Sequence, residues 1–117
     1  MPKRTKKNAC RRPGRLLSYT DGYDDALRGQ GFQEEDVELV LAGKQTALEL
    51  ANETLKDMEE TESDLFSEAR QTAYEADKNP KCVAQQMDNY LMGWRDGLRY
   101  QIEQTVSRAR EAGEEND

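Results

Sequence analysis

Apolar side chains recur along this chain at helical rather than strand spacing. From Glu34 onward, Val37, Leu41, Leu48, Ala51, Leu55, Met58, Leu65, Ala69 and Ala76 fall at intervals built from threes and fours. That is one stripe of a helix. Lys44, Glu62 and Thr72 occupy the same stripe and interrupt it. As a single helix, residues 34–77 would extend about 66 Å at about 1.5 Å per residue, more than a thin monomer can cover. The polar run Glu59 to Ser63 offers a break, and Thr61 with Asp64 has the form of a capping box for a restart. The pattern therefore predicts a helical hairpin, helix 34–59 followed by helix 63–77. A long two-stranded coiled coil in a dimer is the alternative.

The last helix has a clear start. Asn79 is a good N-cap, and Pro80 suits the first helical position, where its missing N–H costs nothing. Val83, Met87, Tyr90, Leu91, Trp94, Leu98, Ile102, Val106 and Ala109 then keep one apolar face as far as Ala112, with Gly113 as the expected end. The first helix is shorter, Tyr19 to Gln30, capped by Ser18 or Thr20 and stopped by Gly31. No run of alternating β-branched residues competes. The reading is all-α, a small bundle of four helices. It divides into a flexible basic arm (1–17), a single helical domain (18–113, with an insertion at 32–78) and an acidic tail (114–117).

The two ends of that domain repeat each other. Tyr19 to Gln30 reads YTDGYDDALRGQ and Tyr90 to Gln101 reads YLMGWRDGLRYQ, offset by 71 positions with six identities in twelve. Such a pair predicts two related helices packed together. Gly22 and Gly93 lie beside the aromatics Tyr23 and Trp94, where a missing Cβ lets another backbone approach and offsets the ~1 kcal/mol helix-propensity cost of glycine. Tyr19, Tyr23, Tyr90 and Trp94 are read as core or helix-crossing residues, with a stacking platform for nucleic-acid bases as the alternative. Asp25 with Arg28, and Asp96 with Arg99, have the spacing of surface ion pairs.

Composition narrows the functions. The chain has 117 residues, of which 35% are hydrophobic and 35% charged, and its mean hydropathy is -1.06. No stretch approaches the roughly 18 apolar residues of a membrane span, and no apolar segment follows the basic N-terminus as a signal peptide requires. There is no histidine, which removes His-based zinc sites and triads. Two cysteines do not make a disulfide framework. Cys82 reads as a reduced core thiol and Cys10 as exposed on the arm, in keeping with a cytoplasmic protein. Asp25 and Asp96 have no nucleophile or metal-binding group beside them, so neither an enzyme nor a bound metal or cofactor is expected.

The charge is strongly segregated. Residues 1–15 carry seven cations and no acid, while residues 16–117 hold ten basic residues against all 24 acidic ones. Lys3, Arg4, Lys6, Lys7, Arg11, Arg12 and Arg15, joined by Arg28, Arg95 and Arg99 of the repeats, are the candidate contacts to nucleic-acid phosphate. Glu49, Glu53, Asp57, Glu59, Glu60 and Asp64 are the candidate contacts to a protein partner, either by occupying a basic groove that normally holds nucleic acid or by docking an apolar face. The expected state is monomer or dimer, with no membrane partner.

Gly22, Tyr23, Ala26 and Gly29 match a first motif of the form G-Y-x-x-G/A-x-x-G, and Gly93, Trp94, Arg95, Asp96 and Gly97 match a second, G-W-R-D/E-G/A. In this the chain resembles the ribosome modulation factor family and its wider relatives. Pro80 with Cys82 matches the proline and cysteine that the family places shortly before its second motif. The resemblance covers about a third of the chain, and here 48 residues of net acidic helix, Gly31 to Lys78, stand between the motifs. It implies two packed glycine–aromatic helices and a regulator associated with ribosomes or RNA. The runner-up expectation is a protein-binding inhibitor, of the kind phages and mobile elements encode, working through the acidic helices.

Overall fold

In a computed structural model, which describes residue 10 and residues 15–29 and 32–115, one helix serves as the spine. The chain forms α1 (Tyr19–Arg28), α2 (Glu34–Leu41), α3 (Ala47–Thr61), α4 (Asp64–Ala76) and α5 (Pro80–Glu115). The described residues contain helices and loops only, in a body of 68 × 31 × 22 Å. At about 1.5 Å per residue, α5 alone spans about 54 Å, and each of the other four helices packs against it. The all-α bundle with its two paired glycine–aromatic helices is the fold the chain adopts.

The inserted segment contains three helices where two were expected. The helix predicted over 34–59 breaks after Leu41, because Gly43 takes a positive φ of 75° and Thr46 starts a new helix. The Thr46 hydroxyl accepts from the Glu49 N–H, while the Glu49 carboxylate accepts from the Thr46 N–H. That reciprocal capping box outcompetes a stripe that Lys44 had already spoiled. The second joint is also displaced from its expected cap. Thr61 is the last residue of α3, Glu62 turns left-handed, and Ser63 caps α4 by accepting from the Phe66 N–H.

α3 and α4 also do not close on each other as a hairpin would. Thr46, Ala47 and Glu49 line one cleft with Glu103, Val106 and Arg110, whereas Ala73, near the end of α4, accepts through its carbonyl from Gln86. The two helices therefore follow one another antiparallel to α5. Their apolar faces (Ala47, Leu50, Ala51 and Met58; Ala69 and Ala73) join Met87, Tyr90, Leu91, Leu98, Ile102 and Val106 of α5 in one core.

α1 crosses α5 backbone to backbone. A Cβ built on Gly22 would overlap the Tyr90 carbonyl oxygen, and one built on Gly93 would overlap the Tyr19 carbonyl oxygen. Gly22 and Gly93 correspond in the repeat, as do Tyr19 and Tyr90, so the crossing has an internal twofold character. The hydrogen in each Cβ position faces the partner's carbonyl, the arrangement of a Cα–H···O contact. Gly97 extends the close approach, since a Cβ there would lie 2.7 Å from the Tyr23 carbonyl oxygen. Ser18 and Asp21 close a capping box at the start of α1. The helix stops at Gly29, and the expected stop, Gly31, lies outside the described residues, as do Gln30 and the arm positions 1–9 and 11–14. At the other end α5 runs through Gly113 to Glu115, because Gly113 meets open space and nothing forces the chain to turn.

The cysteine expectation is corrected. Cys10 and Cys82 form a disulfide, bridging a sequence separation of 72. The half-buried Cys10 is brought onto the first turn of α5 by the docking of α1, a proximity that spacing along the chain does not encode.

Gly22→Ala or Gly93→Ala drives a methyl group into backbone that cannot yield. Each is expected to destabilise by about 3 kcal/mol or more. Gly113→Ala, which removes a helical glycine in open space, is expected to be neutral or to stabilise by up to about 1 kcal/mol. Urea denaturation followed by circular dichroism measures all three.

Candidate functional site

The crossing determines which polar side chains of the repeats remain available. The Tyr19 hydroxyl on α1 donates to Asp96 Oδ2 on α5 at 2.5 Å, and the Tyr90 hydroxyl on α5 donates to Asp25 Oδ2 on α1 at 2.6 Å. Again the two contacts exchange under the repeat's symmetry. Each aspartate thus spans the interface instead of serving only an ion pair within its own helix. Donation to Asp96, with partial burial and the Asp96 charge, raises the Tyr19 pKa above its ordinary value. Burial, then donation to Asp25, pushes Tyr90 far above the phenol range. Burial alone would raise the Asp96 carboxyl. Hydrogen bonds from Tyr19 and Arg95, with the charges of Arg95 and Arg99, outweigh it and hold the carboxyl below its ordinary value.

The aromatics of the repeats divide between core and surface. Tyr90 and Trp94 are buried, 1% and 5% exposed. Tyr19 is exposed and Tyr23 partly so. Their rings lie 6.2 Å apart, and Tyr100 continues the row 6.4 Å from Tyr23.

The candidate phosphate contacts within the described residues all stand beside carboxylates. Arg15 pairs with Asp21 at 2.6 Å, Arg95 with Asp96 at 3.0 Å and Arg99 with Glu103 at 3.0 Å. Arg28 lies 3.8 Å from Asp25, a looser contact with its side chain 79% exposed. The expected Asp25–Arg28 pair is therefore present, whereas Arg99 reaches forward to Glu103 and leaves Asp96 to Arg95 and Tyr19. Lys3, Arg4, Lys6, Lys7, Arg11 and Arg12 lie outside the described residues.

The acidic candidates have the opposite character. Glu49, Glu53, Asp57, Glu59, Glu60 and Asp64 are all exposed, and none makes an ion pair with a described lysine or arginine. Glu49, Glu53, Asp57 and Glu60 follow one face of α3, opposite the buried Ala47, Leu50, Ala51 and Met58, because steps of three and four residues return to the same side of a helix. The stripe covers about 16 Å along the axis at 1.5 Å per residue. Lys56 is the single cation of α3. Across residues 34–64 there are eleven carboxylates against two lysines, a concentration that attracts cationic partners and disfavours phosphate.

Sequence reasoning missed Gln86. It is 1% exposed and uses its whole amide. Its Oε1 accepts from the Leu17 N–H at 2.8 Å, and its Nε2 donates to the Ala73 carbonyl at 3.0 Å and to Cys82 Sγ at 3.4 Å. The entry to α1, the end of α4 and the start of α5 meet on this one side chain. The available signal was its position on the stripe Cys82–Gln86–Tyr90, where a polar residue needs partners.

Among the described residues, no three His, Cys, Asp or Glu side chains converge in a way that could hold a metal ion, and no helix is long and apolar enough to cross a membrane. No family model, curated protein or solved structure matches this chain.

The tyrosine–aspartate pairs make stability depend on pH at both ends of the scale. Asp96 titrates below the unfolded value of about 4, so its contribution is present above that pH and is lost as pH falls through the folded pKa. Tyr19 and Tyr90 titrate above about 10, so theirs is complete below that pH and is lost as pH rises past it. The urea midpoint should be flat between these limits and fall on either side. Asp96→Asn should flatten the acid limb. Tyr90→Phe should flatten the alkaline limb and cost about 1 kcal/mol at neutral pH.

Proposed function

We propose that this chain is a small regulatory protein that binds a protein partner through the acidic side of α2 and α3, seating carboxylates in a cationic groove of that partner. The observation that carries this reading is the contrast in pairing. Among the described residues, the six candidate carboxylates are exposed and make no ion pair with a cation, while Arg15, Arg28, Arg95 and Arg99 each stand beside an acid of the chain itself. Charges already paired have less to gain from a new partner, whereas an unpaired row gains both attraction and a faster encounter. The stripe on α3 and the narrow body, 22 Å in its smallest dimension, suit a groove of the kind that ordinarily holds nucleic acid.

Association with RNA or the ribosome, as the family resemblance implies, is the second reading. The row of exposed Tyr19 and Tyr100 with partly exposed Tyr23 between them, and the loosely held Arg28, favour it, since bases stack on such rings beside arginine. The seven cations of residues 1–15 would then supply the phosphate contacts.

Two variants separate the readings. One reverses Glu53, Asp57 and Glu60 to lysine, leaving Glu49 to close the α3 cap. The other deletes residues 1–15. The tagged chain is sedimented from a bacterial lysate with and without nuclease, and captured partners are identified and rebound in purified form. Protein binding predicts a nuclease-resistant complex that survives the deletion, weakens with salt, and loses affinity on the order of tenfold or more on charge reversal. Co-migration with ribosomal particles that is lost with the deletion, and unaffected by the reversal, would overturn it in favour of RNA.

A further inference from the structure

The disulfide is built asymmetrically. Cys82 is fully buried in the first turn of α5, 0% exposed, whereas Cys10 is only half-buried. Of the two residues, Cys10 is the one with exposed surface, so the bond is approached from the Cys10 side among the described residues. The far sulfur is equipped to leave: Gln86 Nε2, itself inaccessible, donates to Cys82 Sγ at 3.4 Å. Cys82 also sits in the first turn of a 36-residue helix, where backbone N–H groups and the helix dipole favour negative charge on sulfur. An amide donor already bonded to one sulfur of a disulfide holds it more strongly once that sulfur carries charge.

We propose that Cys10–Cys82 is an exchange-active site for small thiols in the folded protein, attacked at Cys10 Sγ with Cys82 as the leaving thiolate. A thiolate forms a new S–S bond to Cys10 while the Cys10–Cys82 bond breaks, its electron pair departing on Cys82 Sγ. A second thiolate then attacks the small-molecule sulfur of the mixed disulfide and releases Cys10 as a thiolate. Both protein thiolates take up protons as the pH dictates. Overall, two small thiols are oxidised to their disulfide and the protein disulfide is reduced to two thiols. The first product is a mixed disulfide on Cys10, which makes Cys10 the position of S-thiolation. The fold outlasts the exchange, because Leu17 stays bonded to Gln86 and the glycine crossing does not involve either sulfur.

The test uses the full oxidised chain in native buffer with reduced glutathione. The mixture is quenched by alkylation and mapped by peptide mass spectrometry, while Trp94 fluorescence reports the fold. The expected result is a glutathionyl adduct on Cys10 in at least roughly tenfold excess over Cys82, formed without loss of the native fluorescence. Gln86→Met keeps the side-chain length but removes the donor, and should slow adduct formation several-fold. If that variant does not fold, the mapping on the natural chain still decides. An adduct mainly on Cys82, or exchange only at denaturant concentrations that unfold the chain, would overturn the proposal.

Discussion

The contact on which the rest of the structure depends is the meeting of two backbones at Gly22 and Gly93. Helices usually pack through side chains at interaxial distances of 8–10 Å. Here each glycine lies against a carbonyl of the other helix. So close an approach leaves no room for side chains at the crossing and displaces the aromatics to its flanks: Trp94 and Tyr90 inward, Tyr19 and Tyr23 toward solvent. It also brings each tyrosine hydroxyl within reach of the aspartate on the opposite helix. A small stretch of sequence used twice thereby sets both the apolar and the polar contacts of one interface.

The same crossing shapes the charge pattern. Asp96 gathers Tyr19 and Arg95, and Asp25 gathers Tyr90 with Arg28 alongside, so charge in the repeats is largely balanced where it lies. Nothing equivalent happens on α3. Its buried face is made of alanines, a leucine and a methionine that need no polar partners, and its outer face carries carboxylates with one lysine among them. Exposed carboxylates along one helix repel each other by a few tenths of a kcal/mol per pair at i,i+4 spacing. Packing of the apolar face on α5 sustains that cost, so the acidic side is electrostatically loaded in the free protein.

What was legible in the sequence was local. The repeat, the glycine–aromatic juxtaposition, the start of α5 at Pro80 and the helical periodicity are all properties of neighbouring residues. The break at Gly43 was less so. The stripe continues past it on paper, and only the reciprocal Thr46–Glu49 cap shows why the chain restarts there. Gly113 illustrates the reverse error, since a glycine near a helix end reads as a stop but nothing in space requires one. The candidate surface was visible as an excess of carboxylates, and the Asp25–Arg28 pair as a spacing, while the partners of Arg95 and Arg99 were not. Arg99 could have joined Asp96 or Glu103 on spacing alone, and the claim of Tyr19 on Asp96 depends on the crossing. The disulfide and the triple role of Gln86 join residues that become neighbours only after α1, α4 and α5 have assembled.

Gln86 shows how one buried polar group can tie three elements together. The bond from the Leu17 N–H fixes the entry to α1 directly to α5, and the bond to Ala73 fixes the end of α4 to the same turn. A disulfide placed next to this hub therefore adds a second attachment, at Cys10, to a chain already held at Leu17. If the covalent link alone positioned α1, the glycine crossing would have to form anew whenever the link opened, with the ordering entropy of α1 set against it. The Leu17–Gln86 bond does not pass through either sulfur, so it holds the entry to α1 on α5 independently of the disulfide. The crossing and the tyrosine–aspartate pairs involve neither sulfur, so the glycine contact rather than the disulfide sets how α1 lies on α5.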